Sequence, residues 1–409
     1  MRCFARQNGV MFKVAALLAA LLMVGLAGCA TSPRTNTASV PDWESEDVVS
    51  ARANAPTEQQ AALPVAAPIP QSVAVAPTNP PVQASFSAKP SSAPVFASNE
   101  TWVPLARWCR SRGFSGPSRI GPPALPDLVV STPSGILKCH AGSNLAFWNG
   151  IEVHLGFGPQ VIEGQPYLHA LDINKTLEPL LNSNLVAPAR LNRTIVLDPG
   201  HGGENAGTRS ALVPRYEKEF TLDWARRLAP LLETNGWQVF LTRTSDADLS
   251  LADRTAIADA HNADLFLSLH FNSASPDEYE SGLETYTLTP PTMPSTLTRG
   301  FPDDLLLTFP NNQFDAQNLQ FAASVHRALL QVNGNHDRGI RRARFLGVLR
   351  AQKRPAILVE GGYLSNPREA RLIGDPDYRQ RLAEAVATAI VSLDRPGATS
   401  AGLRSQANQ

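Results

Sequence analysis

The 409-residue chain has no excess of either charge, since 36 lysines and arginines balance 36 aspartates and glutamates. It also has no basic run with interleaved aromatic residues, so nothing in its charge favours nucleic acid or an anionic surface as a partner. The apolar run over residues 14–26 is shorter than the roughly 20 residues that a transmembrane helix needs. A permanent membrane span is therefore disfavoured.

Cysteine is scarce, and the four cysteines show none of the C-x-x-C spacing of zinc or redox motifs. Cys3 and Cys29 belong to the N-terminal leader, which leaves Cys109 and Cys139. Such a pair can be bridged in an exported protein, but only the distance between the two residues decides this. The disulfide remains an open question at this stage.

The N-terminus resembles a bacterial export signal, with a basic leader, an apolar core and then Leu26-Ala27-Gly28-Cys29, which is similar to a lipobox. The resemblance implies a lipoprotein signal peptide over residues 1–28 and lipidation of Cys29. Ala30 then favours sorting to the outer membrane, and hence a periplasmic location, in an organism with two membranes. An ordinary cleaved signal with a chance cysteine remains an alternative, as does a start at Met11.

Residues 29–98 are rich in Pro, Ala and Ser, and such a composition buries too little apolar surface to offset the entropy of ordering. We predict a disordered linker there, with a root-mean-square reach of roughly 50 Å, and a disordered tail over residues 397–409. Residues 99–188 are predicted to form a small α+β domain of unknown role, in which Asn149-Gly150 indicates a hairpin turn. Residues 189–396 are predicted to form a catalytic domain.

In the predicted catalytic domain, apolar strands alternate with helices, which is typical of a twisted, mostly parallel sheet with helices on both faces. The fold class is therefore α/β, preceded by the small α+β domain. The predicted strands cover residues 194–198, 238–242, 264–270, 283–288 and 356–360. The predicted helices cover about 217–235, 251–261, 316–332 and 377–393.

Two of these strands deliver a histidine: His201 follows the first, within Asp-Pro-Gly-His-Gly-Gly, and His270 ends the third. Because the carboxyl ends of parallel strands share one rim of the sheet, the two histidines can lie close together. Glu217 begins the helix after His201, and the last apolar strand ends on Glu360. A histidine that only caps a turn, and a glutamate that only suits a helix dipole, are the plainer interpretations of His201 and Glu217.

These residues match a hydrolytic zinc site, which takes about three histidine or carboxylate ligands and leaves a position open for water. We predict that His201, Glu217 and His270 bind one Zn²⁺ and that Glu360 is the general base. Asp198 is better explained as a turn residue, or as one that orients a ligand, than as a ligand itself. The chain has no His-Glu-x-x-His motif, so the common metalloprotease arrangement is excluded.

From about residue 194 to residue 393 the chain resembles the zinc-dependent N-acetylmuramoyl-L-alanine amidases of the amidase 3 cell-wall hydrolase type. The resemblance rests on spaced motifs in the same order, at residues 198–203, 217–218, 241–243, 268–272, 338–340 and 355–366. It implies cleavage of the amide between the lactyl group of N-acetylmuramic acid and the first L-alanine of the peptidoglycan stem peptide. It also places the zinc ligands on His201, Glu217 and His270, and the catalytic glutamate on Glu360.

Two departures from this family stand out. The first loop usually continues with an acidic residue and Pro-Gly, whereas residues 204–207 read Glu-Asn-Ala-Gly, which predicts altered substrate contacts with the ligands spared. A Pro-rich insertion covers residues 289–315, near the place where some relatives carry an inhibitory helix that a protein partner removes. We therefore hypothesise a lid or regulatory element there, and with it a protein activator.

Further candidates for substrate contact are Asn272 and Arg243, both of which also suit turns and ion pairs. A basic cluster before the last strand is either a solvated face or a site for an anionic glycan or stem-peptide carboxylate; it comprises Arg338, Arg341, Arg342 and Arg344.

The sequence thus predicts a lipid-anchored cell-envelope amidase that uses zinc to hydrolyse peptidoglycan, in cell-wall remodelling or daughter-cell separation. A catalytically silent peptidoglycan-binding lipoprotein with the same fold is the alternative from another class. A zinc peptidase that acts on a different amide also remains open, because ligand identities alone do not fix the substrate.

Overall fold

The computed structural model describes residues 101–182, 192–274, 278–298, 303–332, 334 and 336–393. The predicted signal peptide, the lipidation site Cys29, the linker and the C-terminal tail lie outside these residues. Among the helices of the described ranges, none combines the length and the apolar character that crossing a bilayer requires.

The described N-terminal region consists mainly of short strands. These are β1 Trp102–Pro104, β2 Ser118–Ile120, β3 Asp127–Thr132, β4 Gly135–His140, β5 Leu145–Trp148, β6 Ile151–His154, β7 Gln160–Ile162 and β8 Gln165–His169. The helical segments are α1 Leu105–Ser111, α2 Ala170–Asp172, a π-helical turn Ile173–Leu177 and α3 Glu178–Leu181.

The region after residue 192 alternates strands and helices, as predicted. Its strands are β9 Thr194–Pro199, β10 Gln238–Leu241, β11 Leu265–Asn272, β12 Leu283–Thr287, β13 Asp337–Arg342 and β14 Ala356–Tyr363. Its helices are α4 Glu217–Glu233, α5 Leu251–Ala260, a 3₁₀ turn Pro310–Phe314, α6 Asp315–Leu330, α7 Gly347–Arg350, α8 Pro367–Gly374 and α9 Pro376–Leu393.

One sheet of 11 strands runs through both regions, in the order β10-β9-β11-β14-β12-β13-β6-β5-β4-β3-β2, and β1, β8 and β7 form a second sheet. Strands β10, β9, β11 and β14 are parallel. Strand β12 is antiparallel to β14 and parallel to β13. The sheet is therefore mixed, with helices on both faces, which confirms the predicted fold class.

Two hydrophobic cores cover the two faces of the large sheet. The larger core holds residues of α4, α6 and α9 and continues under β3 to β6, while the smaller one lies beside α5 and α7. Every residue of β9, β11 and β14 is buried, as expected for parallel strands packed on both faces. The two regions thus share one sheet and one core, and a boundary near residue 188 stays a prediction.

Cys109 and Cys139 are buried and not bridged to each other. Burial raises the pKa of the Cys109 thiol to about 11 and that of the Cys139 thiol to about 12. The structure therefore decides the open question against a disulfide.

Asp172 is a buried carboxyl group within the N-terminal region. It accepts hydrogen bonds from the backbone N–H of Gly156 at 2.8 Å and of Phe157 at 2.9 Å. Arg342 of β13 approaches the same place and donates to Thr176 Oγ1 at 2.9 Å. Burial raises the pKa of Asp172 to about 6, in spite of these N–H donors and the nearby Arg342 guanidinium.

We expect Asp172 to make stability depend on pH. Its pKa in the folded protein lies above the ordinary 3.8, so its stabilising contribution is complete below that value and is lost as the pH rises through about 6. Between about pH 4 and about pH 7, the wild-type free energy of unfolding should fall by on the order of 2–3 kcal/mol relative to Asp172→Asn. Urea titrations at both pH values test this, and parallel pH profiles for the two proteins would contradict it.

Candidate zinc centre and active site

Three neighbouring strands bring the predicted site residues to one rim of the sheet. His201 follows the end of β9, His270 lies near the end of β11, and Glu360 on β14 is the direct register partner of His270. The three strands are parallel, so their carboxyl ends meet at the same edge. Glu217, at the start of α4, reaches this edge from the neighbouring helix.

The Glu217 carboxylate bridges the two histidines. Its Oε2 lies 3.0 Å from His201 Nε2 and its Oε1 lies 3.0 Å from His270 Nδ1. The potential ligand atoms of these three buried residues all lie within 4.8 Å of one another. Burial alone would raise the pKa of Glu217, but the His201 and His270 imidazoles together hold it well below its usual range.

Two imidazoles and one carboxylate are a usual donor set for hydrolytic zinc, and the orientation of His201 fits this role. Its Nδ1 lies 2.7 Å from the amide oxygen of Asn205, which is an acceptor, so Nδ1 carries the proton and Nε2 is left to face Glu217. The residues therefore fit a zinc ion. Within the described ranges, no other group of three His, Cys, Asp or Glu side chains converges in this way.

The backbone of the first loop is shaped by the close approach of these side chains. His201 has a φ of +61°, an uncommon conformation for a residue with a side chain and one that is enriched at functional sites. A Cβ on Gly200 would overlap the His270 ring, and a Cβ on Gly207 would lie 2.7 Å from Glu217 Oε2. The glycines thus leave the space that the ligands occupy.

Asp198 lies beneath the loop, outside the ligand cluster. Its buried carboxylate accepts from Thr242 Oγ1 at 2.6 Å, Arg254 Nη1 at 2.7 Å and Ser268 Oγ at 2.8 Å. Arg254 also donates to the carbonyl of His201 at 3.0 Å. Asp198 therefore joins β9 to β11 and α5 and fixes the point at which the loop begins.

For Arg243, the contacts favour the turn-holding role over substrate contact, of the two that the sequence left open. Only 3% of this residue is exposed, and its guanidinium donates to the carbonyl oxygens of Pro199, Gly200, Lys218 and Ser245. Its donors are thus used to hold the loop that carries His201, and few remain for a ligand.

Asn272 is also fully buried. Its Nδ2 donates to Glu284 Oε2 at 2.8 Å and its Oδ1 accepts from the Ser273 N–H at 2.8 Å. The side chain of Asn272 therefore orients Glu284, a residue that sequence reasoning missed. The signal was the lone carboxylate within Leu-Glu-Thr-Tyr-Thr of β12.

The described part of the insertion, residues 289–298 and 303–315, lies away from the rim of the site. Glu284 of β12 pairs with Glu360, and two residues later Tyr286 pairs with Leu358, so β12 runs away from the site towards the insertion. The described part of the insertion bonds instead to Arg342 and Arg344. This placement gives no support to a lid over the ligands.

The loop of residues 204–207 was expected to spare the ligands. Asn205 instead contacts His201 directly, and Gly207 lies against both His201 and Glu217. This departure from the family pattern therefore bears on the ligands as well as on the surface of the site.

Comparison with known proteins places residues 195–392 in the N-acetylmuramoyl-L-alanine amidase family. The chain is 31% identical to the amidase AmiC of Escherichia coli O6:H1, over 56% of this chain and 60% of that protein. It is 32% identical to AmiC of Neisseria meningitidis serogroup B, over 48% of this chain and 51% of the relative. The chain thus spans about half to three fifths of the length of these two curated relatives.

A solved structure, the N-acetylmuramoyl-L-alanine amidase of Clostridium difficile 630, is 32% identical over 50% of this chain and 98% of its own, with a TM-score of 0.41. At this identity, the match spans nearly the whole of the solved domain. The family match over residues 195–392, with the two curated relatives at 31% and 32% identity, places this part of the chain in the N-acetylmuramoyl-L-alanine amidase family.

Proposed function

We propose that the protein hydrolyses the amide between N-acetylmuramic acid and the L-alanine of peptidoglycan stem peptides, and that it requires zinc to do so. The observation that carries this proposal is the register of β11 and β14, which pairs Glu360 with His270. His270 belongs to the buried cluster that also contains His201 and Glu217. The family membership supports the substrate class.

The ligands and the base have separate tasks. His201, Glu217 and His270 would hold zinc, which when bound supplies a Lewis acid that polarises the scissile carbonyl. Glu360 takes a proton from the attacking water and passes it to the nitrogen of the leaving L-alanine, as a general base and then a general acid. Asn205 keeps His201 in the tautomer whose Nε2 is a ligand.

The cellular setting is proposed from the N-terminal sequence. The lipobox-like Leu26-Ala27-Gly28-Cys29 supports a lipid anchor, and the composition of residues 29–98 supports a flexible tether. We infer a periplasmic amidase on the outer membrane that acts in cell-wall remodelling or daughter-cell separation. Activation by a protein partner remains part of this proposal.

Glu360→Gln should lower the release of stem peptides from purified peptidoglycan by a factor of about 10² to 10⁴, the usual contribution of a general base. The variant removes the proton acceptor and keeps the shape of the side chain. Mass analysis of the products from the zinc-loaded full chain measures the loss. Intact stem peptides from the wild type and none from the variant are the expected result.

The matched control for this experiment is Glu163→Gln, which changes an exposed glutamate of the N-terminal region and should leave the rate unchanged. Equal rates for Glu360→Gln and the wild type would remove Glu360 from the mechanism. Binding of peptidoglycan without any release, by either protein, would favour the silent binding lipoprotein.

His270→Ala should abolish stoichiometric zinc binding, because it leaves two of the three protein ligands that a catalytic zinc site needs. We expect one zinc per chain for the wild type and for His140→Ala, which removes an exposed histidine of β4. Equilibrium dialysis with metal analysis measures the ratio. A full zinc content in folded His270→Ala would refute the assignment.

Asn205→Ala should weaken zinc binding by about 10- to 100-fold, the usual effect of removing an outer partner of a ligand histidine. Asn205 contacts His201 at Nδ1, which is not the predicted ligand atom. The variant should therefore still bind one zinc per chain when zinc is saturating. Competition with a fluorescent chelator measures the affinity. An unchanged affinity would show that the hydrogen bond to His201 Nδ1 has no part in metal binding.

A further inference from the structure

Beside the proposed base lies a second buried carboxylate with a different role. Glu284 of β12 is the direct cross-strand partner of Glu360, so the two side chains emerge on the same face of the sheet. Glu284 is fully buried and accepts from Asn272 Nδ2 at 2.8 Å, Tyr286 OH at 2.6 Å and Arg338 Nε at 2.8 Å. Burial would raise the pKa of Glu284, but the charges of Arg341 and Arg338, with the hydrogen bonds from Arg338 and Tyr286, hold it below its usual range.

The basic cluster divides into two pairs with different surroundings. Arg342 and Arg344 are buried, and their guanidinium groups bind internal oxygen atoms, among them Thr176 Oγ1 and the carbonyl of Met293. The other two arginines gather around Glu284 at the rim of the site. The first pair is thus structural, whereas the second pair contacts Glu284 and keeps part of each side chain exposed.

Arg341 keeps its terminal nitrogens available. Its Nε donates to the carbonyl of Arg338 at 3.1 Å and lies 3.6 Å from Glu284 Oε1, which is longer than a hydrogen bond. No acceptor among the described residues binds its Nη1 or Nη2, and 18% of the side chain is exposed. Arg341 thus acts on Glu284 through its charge, while the hydrogen bonds to Glu284 come from Asn272, Tyr286 and Arg338.

Arg338 connects Glu284 with Glu280 and with the aromatic ring of Tyr363. It donates through Nε to Glu284 and through Nη1 to Glu280, and its guanidinium lies 5.2 Å from the centre of the Tyr363 ring. Burial raises the pKa of Tyr363, and after it Glu284, Arg338 and Glu360 all act on the same phenol. Arg338, Glu284 and Glu360 are therefore all close enough to Tyr363 to act on its phenol.

We propose that Arg341, held in place by Arg338 and Glu284, is a subsite for a carboxylate of the stem peptide. Arginine presents a planar fork that binds a carboxylate through two parallel hydrogen bonds. β13 lies two strand spacings from β14, roughly 10 Å, which is about three residues of extended peptide. A carboxylate a few residues beyond the scissile amide would thus reach Arg341 while the amide lies at Glu360. This inference rests on the proposed function.

Calorimetry with the Glu360→Gln variant, which is not expected to turn over its ligand, tests the subsite apart from hydrolysis. The ligands are two muropeptides with a tripeptide stem that differ only in whether the carboxylate at the end of the stem, three residues beyond the scissile amide, is free or amidated. We expect the free carboxylate to bind about 10-fold more tightly, as for one charge-assisted hydrogen-bonded pair. The preference should be lost when Arg341→Gln is combined with Glu360→Gln. It should be retained only in part when Arg341→Lys is used instead, because lysine lacks the fork.

The control is Arg110→Gln, an exposed arginine of α1 in the N-terminal region, which should keep the full preference. Equal affinities for the two ligands, or no binding of either, would overturn the subsite. A lower melting temperature in Arg341→Gln with the preference intact would also overturn it, and would leave Arg341 as a structural partner of Glu284. Failure of the wild type to release stem peptides from peptidoglycan would refute the proposed function. The calorimetric preference is measured without hydrolysis and decides only whether Arg341 is a carboxylate subsite.

Discussion

The burial of charged side chains is the constraint on which this structure depends. Glu217, Asp198 and Glu284 are almost entirely shielded from water, and a buried carboxylate is tolerated only when partners satisfy it. Each therefore organises a set of neighbours: two imidazoles around Glu217, Arg254 with two hydroxyls around Asp198, and an arginine with an amide and a phenol around Glu284. The three sets lie along the same rim.

This arrangement explains why the ligands are placed by the sheet rather than by flexible loops. The strands β9, β11 and β14 are buried on both faces, so their register is fixed by packing. A shift of one residue would turn His270 and Glu360 to the opposite face. The loop that carries His201 is the less regular part, and Arg243 and Arg254 compensate by binding its carbonyl oxygens. The position of the site residues is thus set by strand register and by hydrogen bonds to the loop.

The sequence predicted the alternating core well, because apolar periodicity reflects burial. Four long helices and five strands after residue 192 lie close to their predicted bounds. β13 was missed because Asp-Arg-Gly-Ile-Arg-Arg has almost no apolar alternation, although both its neighbours are strands. The connection of β6 to β13 was also beyond prediction, since pairing between distant segments leaves no local signal.

The site residues divide in a similar way. His201, His270 and Glu360 were conspicuous because a polar side chain follows a strongly apolar strand. The direction of a side chain was not predictable, which is why the sequence left Arg243 as either a substrate contact or a partner in turns and ion pairs, whereas its guanidinium binds backbone carbonyls. Asn205 contacts His201, and Glu284 contacts Arg338. Only the structure reveals these contacts, because the sequence does not show which polar side chains meet.

The network around Asp198 also has an evolutionary consequence. Asp198 and Arg254 hold β9, α5 and the loop that carries His201 in one arrangement. A substitution of either residue therefore damages folding as well as the position of His201. Loss of activity by drift at Asp198 or Arg254 would be removed by selection for a folded protein. The loop that carries His201 is therefore protected from mutational decay by residues outside the cluster of His201, Glu217 and His270.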